Sequence, residues 1–592
     1  MEESALWSMV RESIIGRDVF IDTPFGKRLL TYADYTASGR GISFIEEYFK
    51  SDILKLYANT HTDDDLTGEI TTERLHLSEH MIKECVNADE SYSVIEVGSG
   101  ATGAINRLQE ILGIYIPPAT KRRFDQLYNE FLKEGDRERF YDFIMAKRPV
   151  VFIGPYEHHS NEISWRECFC EVVEIGLNDE GRLDLKELES KLEDSTYKDR
   201  LKIGSFSAAS NVTGILTPVY DVARILHSHG AYAFFDFAAA APYVEIDVNR
   251  DEDSYFDAIF FSPHKFLGGP GSCGVLVFKR KLYPFELPPT YSGGGTVDFV
   301  NFNTQKYSHA IEVREKPGTP PILQIMRAAL ALELKRKLGT EKIERREREL
   351  TERAFSKLRN IPNIEVLGPE SPGDRIPIFS FVVQAGRYFL HPRFVIKLMN
   401  DLFGIQGRAG CSCAGPYGHR LLGIDDDESS EYYREIVING NLGLKPGWAR
   451  VNFHFLFTDT EVEFLLEAIE FIARYGRYFL PLYSFSMRTG RWAFKGLREQ
   501  ANKANKLVTL MKTDGLATTV ADDPGFGIGT AFSYFDKEGR GKFPPVGEEE
   551  KRKLYDSYLA YAESVARELK EIFDEERVRI VGKNLIPYGY YL

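Results

Sequence analysis

The chemistry this chain could perform is first suggested by a lysine at the end of an apolar run. Residues 257–274 read DAIFFSPHKFLGGPGSCG. Ala258 to Phe261 is expected to form a buried strand, with Ser262, His264 and Lys265 at its carboxyl end. A loop containing Gly268, Gly269, Gly271 and Gly274 then leads into a second apolar run, Val275 to Phe278. Burial disfavours an ammonium ion, so a lysine lodged here suits an amine that must shed its proton and attack a carbonyl. The plain alternative is a solvated lysine at a strand end. Upstream, Asp236 interrupts AYAFFDFAAAAPYVEID, a run of aromatic and small residues. A carboxylate there is costly unless a cation or strong donors meet it. A hydrogen-bonded core aspartate is the competing reading.

Other candidates recur at strand ends. Val94 to Val97 precedes Gly98-Ser99-Gly100-Ala101-Thr102-Gly103, which matches the G-x-G-x-x-G pattern of dinucleotide-binding proteins. That reading needs an acidic residue ending the next strand about 20 residues on. Asp125 has the right offset but sits in a charged, helix-like segment, so the dinucleotide reading is set aside. A glycine-rich turn opening a helix still offers free N–H groups to a phosphate, and Thr102 could add a hydroxyl. The strand expected over 149–153 ends in GPYEHHSNEISW, which carries Glu157, His158 and His159. Adjacent histidines on an extended segment point in opposite directions, so they do not easily share a metal. A flat imidazole stacked on a ring is as good a reading for His158 as a ligand or a loop residue. A further strand ends at Ser210-Asn211, before Gly214.

The elements that must position these residues alternate between strand and helix from 94 to 278, which predicts an α/β domain with a mostly parallel sheet. In such sheets ligands bind beyond the carboxyl ends of the strands, where the candidates fall. Periodicity predicts helices over 43–57 and 69–86, an inserted helical pair over 120–148, helices from Gln324 to Leu338 and near 391–403, and another over TEVEFLLEAIEFIARYG. In the last hundred or so residues Leu554, Tyr558, Tyr561, Val565, Leu569 and Ile572 line one helix face. The expected division is an N-terminal segment 1–40, a large domain 41–335 with an insertion near 115–148, a small α/β domain 336–480, and an extension 481–592 of unassigned role.

With 592 residues, 43% hydrophobic and 27% charged, the composition is that of a globular chain of roughly three or four units. A net charge of −14 argues against nucleic acid or an anionic membrane as a general partner. No apolar run reaches membrane-spanning length, and the acidic start lacks the features of a signal peptide. A cytoplasmic protein with free thiols is expected, because six cysteines are few for a disulfide scaffold of this length.

Together these pieces resemble the aminotransferase class V superfamily of fold-type I pyridoxal-phosphate enzymes, in its cysteine desulfurase and selenocysteine lyase branch. The resemblance spans roughly residues 30 to 475. It rests on an ordered set: SGATGAIN (99–106), EHHSN (157–161), SNVTG (210–214), FFDFAAAAP (234–242), SPHKFLGGPG (262–271), GTP (318–320), RAGCSCA (408–414) and ARVNF. It implies a large domain with a seven-stranded-type sheet sandwiched by helices, a smaller α/β domain, and pyridoxal 5′-phosphate as cofactor. Lys265 would form the internal Schiff base and Asp236 would pair with the pyridinium nitrogen, making the ring an electron sink. His158 would stack on the ring, and Asn211 would touch the ring hydroxyl and the substrate. The phosphate would sit on Gly100, Ala101 and Thr102, with Ser262 and His264 as donors. Thr319 resembles a phosphate ligand that crosses from a partner subunit, which implies a homodimer. Arg450 would grip the substrate carboxylate. Cys413 stands where desulfurases keep the nucleophile that takes sulfur from L-cysteine as a persulfide, leaving alanine; a sulfur-acceptor protein would then be a partner. Cys411 could be a second acceptor, a resolving thiol or a residue without a role. A Cys411/Cys413/His419 metal site is a weak pattern and no metal is expected.

The chain also departs from that pattern. Ala239 stands where a Gln or His usually meets the ring hydroxyl, Ser412 where histidine is common, and Lys316 where a glutamate precedes the GT pair. These departures bear on the reaction more than on the cofactor. They leave open an aminotransferase, an epimerase or another lyase on the same site, or a cofactor-binding protein without turnover.

Overall fold

The computed structural model describes residues 3–60, 62, 64–495, 545–582 and 585–591. They fall into two compact units, one of residues 36–346 with 373–376, the other of 1–35, 347–372 and 377–592.

The first unit is built on a seven-stranded sheet. Its strands are β1 (Tyr92–Val97), β2 (Val150–Ile153), β3 (Glu171–Glu174), β4 (Lys202–Ser207), β5 (Tyr232–Asp236), β6 (Ala258–Phe261) and β7 (Gly274–Lys279). In space they run β1-β7-β6-β5-β4-β2-β3. β7 is antiparallel to both neighbours, and every other adjacent pair is parallel. This is the mostly parallel α/β sheet expected from the sequence. Every residue of β1, β2 and β6 is buried; β2 and β6 read as continuous apolar runs because both faces are covered, while β1 also buries Ser93 and Glu96. Helix Gly100–Ile111 buries Ala101, Ala104, Ile105, Leu108 and Ile111 along one face, and these join a core cluster with Ile95, Ile203, Phe234 and Phe260.

The expected helical pair is present as Pro118–Phe131 and Glu134–Lys147, and neither helix has a buried residue. Tyr128 holds the two together, its ring 5.4 Å from that of Phe140 and its hydroxyl donating to the Arg137 carbonyl. Asp125 lies on the first of these helices and not at a strand end, so the dinucleotide pattern lacks its acidic partner. The pair enters the sheet at the amino end of β2, opposite the edge that carries the candidate residues.

The second unit holds another seven-stranded sheet, of β8 (Ile364–Val366), β9 (Ile378–Ala385), β10 (Tyr388–Leu390), β11 (Arg408–Gly410), β12 (Trp448–Asn452), β13 (Val578–Val581) and β14 (Tyr588–Tyr591). Its main path is β11-β12-β9-β10-β14-β13, with β8 paired to β9. Within this unit, chain segments far apart in sequence pair. Thr31–Tyr32 pairs in parallel with Ile405–Gln406, and β14 pairs in parallel with β10. Of the extension 481–592, residues 496–544, 583, 584 and 592 lie outside the described residues; the rest contributes an antiparallel pair (Tyr483–Ser486 with Arg491–Phe494), β13, β14 and helix Glu548–Ile572. That helix lays Tyr555 flat on Phe464 of helix Asp459–Tyr475, with centroids 3.7 Å apart. Of the expected face, Tyr558, Val565 and Leu569 are buried, Leu554 and Tyr561 are half-buried and Ile572 is exposed; Lys551, Tyr555, Ala562 and Ala566 are buried beside them. Lys551 is anchored there by charge. Its Nζ meets Asp18 at 2.8 Å and Glu461 at 3.2 Å, and Arg17 meets Glu461 at 2.7 Å.

Burial works against the Glu461 carboxylate, yet Arg17 and Lys551 hold its pKa below the ordinary range. A depressed carboxylate pKa contributes stability that is present above the unfolded value and is lost as pH falls through the folded one. Lys551→Ala should therefore cost about 3 kcal/mol in urea unfolding near neutral pH, because it takes a buried cation from two buried carboxylates and leaves Arg17 alone to balance them. The difference from wild type should shrink in acid, as Glu461 takes up a proton.

Candidate active site

The carboxyl edge of the first sheet opens into a cavity of about 360 Å³. β1 ends at Val97 and the chain turns through Gly98 and Ser99 into the helix at Gly100. β2 leads to His158, β4 to Asn211, β5 ends at Asp236, and β6 leads to Ser262, His264 and Lys265. The wall thus collects Gly100, Ala101, Thr102, His158, Asn211, Asp236, Ser262, His264 and Lys265. Register sets their level: Ser207 pairs with Asp236, and Asp236 with Phe260, across adjacent parallel strands.

Gly100 has φ +61°, a left-handed conformation that costs a side chain about 1–2 kcal/mol. A Cβ there would lie 2.8 Å from Ser262 Oγ. The close approach lets Ser262 Oγ accept from the Ala101 amide at 2.8 Å, tying β6 to the start of the helix. Gly274, which opens β7, is pinned in the same way, because its Cβ would sit 2.1 Å from the Gly100 carbonyl oxygen.

Asp236 is 4% exposed and accepts from the Ala238 amide at 2.8 Å. Burial raises its carboxyl pKa; that hydrogen bond and the positive charge of Lys265 oppose the rise. Burial, and then Lys265, lowers the His264 pKa, which favours the neutral ring. Beneath His158, the buried Glu157 accepts from the Gly154 and Ser207 amides, from Ser207 Oγ and from Asn161 Nδ2. Burial pushes its pKa up to about 7 against those four donors. Glu157 thereby fixes the loop that presents His158.

The remaining candidates lie elsewhere. Thr319 belongs to the same unit but is exposed and does not line the cavity. Arg450 and Cys413 belong to the second unit. Arg450 is buried on β12, directly opposite Arg408 of β11. Asp34 clips the two together, meeting Arg450 Nη2 at 3.1 Å and Arg408 Nε and Nη2 at 3.0 Å each. Burial lowers the Arg450 pKa and Asp34 opposes this; the Cys413 thiol is close enough for its charge to reach both guanidiniums. Cys413 is exposed on a turn where Ser412 and Cys413 both take left-handed backbone, φ 53° and 57°. Such conformations cost side-chain-bearing residues about 1–3 kcal/mol and cluster at functional turns. Cys411 is half-buried, and burial lowers the His419 pKa. Among the described residues no group of three or more His, Cys, Asp or Glu side chains is placed to hold a metal ion, and no helix is long and apolar enough to cross a membrane.

Sequence reading missed four polar residues. Ser160, Ser207 and Ser272 line the cavity, and Ser272 Oγ is buried with no hydrogen-bond partner among the described residues. Asp34 gave one unused signal, a charge inside the small-residue stretch YADYTASG.

The matches to known proteins agree with this architecture. The aminotransferase class-V family model matches residues 141–465, and the chain belongs to that family, whose enzymes work with pyridoxal 5′-phosphate. A probable cysteine desulfurase of Streptomyces coelicolor is 28% identical over 454 residues, covering 75% of this chain and 93% of the relative. A probable cysteine desulfurase of Halobacterium salinarum is 30% identical over 325 residues, covering 54% and 69%. Among solved structures, the apo cysteine desulfurase of Thermococcus onnurineus superposes with a TM-score of 0.58 at 24% identity, covering 75% of this chain and 95% of that one. A cysteine desulfurase of Escherichia coli gives 0.55 at 21%, covering 74% and 93%. At these identities the structural likeness establishes the fold.

Removing Asp34 should leave the Arg450 charge buried without its anion. Asp34→Asn is expected to cost about 3 kcal/mol in urea unfolding, whereas Arg408→Gln, at a half-exposed side chain, should cost under about 1 kcal/mol.

Proposed function

We propose that the chain is a pyridoxal-phosphate enzyme that removes sulfur from L-cysteine, with Cys413 as the sulfur-accepting nucleophile. The observation that carries the reaction is Cys413 itself: an exposed thiol on a left-handed turn, within electrostatic reach of Arg408 and Arg450. The names of the curated relatives support the same reading.

The cavity suits the cofactor. Glycine backbone at 98 and 100, the Thr102 hydroxyl and the amino end of a twelve-residue helix would receive a phosphate, with Ser262 and His264 beside it. The unmatched Ser272 hydroxyl leaves a buried polar atom for a ligand to satisfy. Asp236, buried and within electrostatic reach of Lys265, would hold a proton on a ring nitrogen, and the His158 imidazole would cover the ring. When bound, the cofactor supplies an aldehyde for amines and a ring that accepts electrons from the substrate's carbon skeleton. Lys265 would carry that cofactor and, once released, move the α-proton with its Nζ. Arg450 would orient the substrate carboxylate. Cys413 Sγ would attack the substrate sulfur, so that an S–S bond forms on the protein as the C–S bond breaks. The carbon left behind takes a proton and departs as alanine; Cys413 keeps a persulfide for an acceptor, which can be a protein. Thr319, exposed in this chain, would serve the cavity of a partner subunit in a homodimer.

Ala239 favours a second reading, another amino-acid reaction at the same site. It lines the cavity and offers no hydrogen-bonding side chain there.

Purified full-length protein should show a visible absorbance band that Lys265→Ala abolishes and that added L-cysteine perturbs. Wild type should release alanine and form a protein persulfide. Cys413→Ser should keep the band and lose both products; alanine and sulfide at the wild-type rate from that variant would exclude the persulfide route. Keto acid or racemised substrate in place of sulfide would select the second reading.

A further inference from the structure

Ser160 stands between two groups that the proposed function uses separately. Its Oγ lies 2.7 Å from Thr102 Oγ1 and 3.1 Å from His158 Nδ1, and its backbone N–H donates to that same Nδ1 at 3.1 Å. All three residues line the cavity. The spacing is braced from behind. Ser164 Oγ donates to the Ser160 carbonyl at 2.6 Å and accepts from Gln109 Nε2 at 2.9 Å, and Gln109 lies on the same helix as Thr102.

The donor inventory restricts what this chain of groups can do. A backbone amide can only donate, so His158 Nδ1 presents its lone pair and the neutral ring carries its proton on Nε2. Each hydroxyl has one proton to give. Two arrangements follow. In one, Thr102 donates to Ser160 and Ser160 donates to His158 Nδ1, which turns an oxygen lone pair of Thr102 toward the helix start. In the other, Ser160 donates to Thr102 and the Thr102 proton points outward. A dianionic phosphate at the amino end of the helix accepts and cannot donate, so it selects the second arrangement and withdraws the Ser160 proton from His158.

We infer that Ser160 is a positioning residue whose hydroxyl couples occupancy of the phosphate subsite to the hydrogen bonding of the His158 imidazole. The inference rests on the cofactor reading above for the identity of the anion, and on the three distances for the coupling. An alanine at this position would keep the backbone amide, and with it the tautomer, but would cut the link to Thr102.

The test uses the full-length chain in cofactor-free form, labelled with ¹⁵N-histidine and titrated with inorganic phosphate. In wild type, long-range ¹H–¹⁵N spectra should show His158 protonated on Nε2, with the Nδ1 resonance moving as phosphate saturates. Ser160→Ala should keep the tautomer, lose the movement and bind phosphate about fivefold more weakly, the worth of one hydrogen bond. Ser160→Thr should restore both, and Thr102→Val, which leaves Ser160 in place, should lose the movement as Ser160→Ala does. A proton on Nδ1, a wild-type Nδ1 that ignores bound phosphate, or an Nδ1 that moves equally in Ser160→Ala would each overturn the coupling. Failure of the parent reading looks different: a chain that shows the Ser160-dependent movement but forms no visible band with pyridoxal 5′-phosphate keeps the coupling and loses the cofactor assignment.

Discussion

A carboxylate nearly removed from water, at the end of a central strand, is the constraint on which the first unit depends. Asp236 is placed there by the register of β5 between β4 and β6, not by any local preference. Burial disfavours its charge, and one backbone amide with one nearby ammonium offsets that penalty only in part. The cavity is therefore electrically unfinished in a specific sense: it calls for a positive or proton-bearing group beside Asp236. A ligand with a protonated ring nitrogen meets that demand, and the donors at the helix start, lining the same cavity, offer a place for negative charge.

The second unit solves a related problem with protein groups alone. Arg450 is buried, and a guanidinium in that position needs an anion. Asp34 supplies it and engages Arg408 as well, so two positive charges share one carboxylate. Backbone strain at Ser412 and Cys413 keeps the thiol on the surface of its own unit, while the other described cysteines are buried or half-buried. Cys168 and Cys170 show the contrast, with thiol pKa values pushed up to about 12 by burial.

The described extension is held by the same economy of charge. Lys551 would be a poor core residue by itself, but two carboxylates from opposite ends of the chain enclose it. The N-terminal segment, the helix 459–475 and the helix 548–572 are thereby joined by a small polar core inside apolar packing. That core keeps a charged residue, Lys551, on the inward side of the last helix, where apolar periodicity gives no place for one.

Much of this was legible in the one-dimensional chain. Apolar runs with period-breaking glycines marked the strands of the large sheet, because buried parallel strands leave a continuous hydrophobic signature. The residues at their carboxyl ends could be named in advance, since a parallel sheet sends every such end to one edge. Lys265, Asp236, His158 and the Gly98–Thr102 turn stood out for that reason. What the chain could not declare was pairing across long separations. Asp34 meets Arg408 and Arg450 across 374 and 416 residues, β14 reaches back to β10, and Lys551 finds Asp18; no local pattern encodes such contacts. Ser160 was equally silent, because a serine acquires meaning only from the two groups its hydroxyl can touch. Residue types and periods determined the elements and the reactive side chains. Tertiary structure decided which charges compensate one another, because compensation acts over a few ångströms in space and is indifferent to distance along the chain.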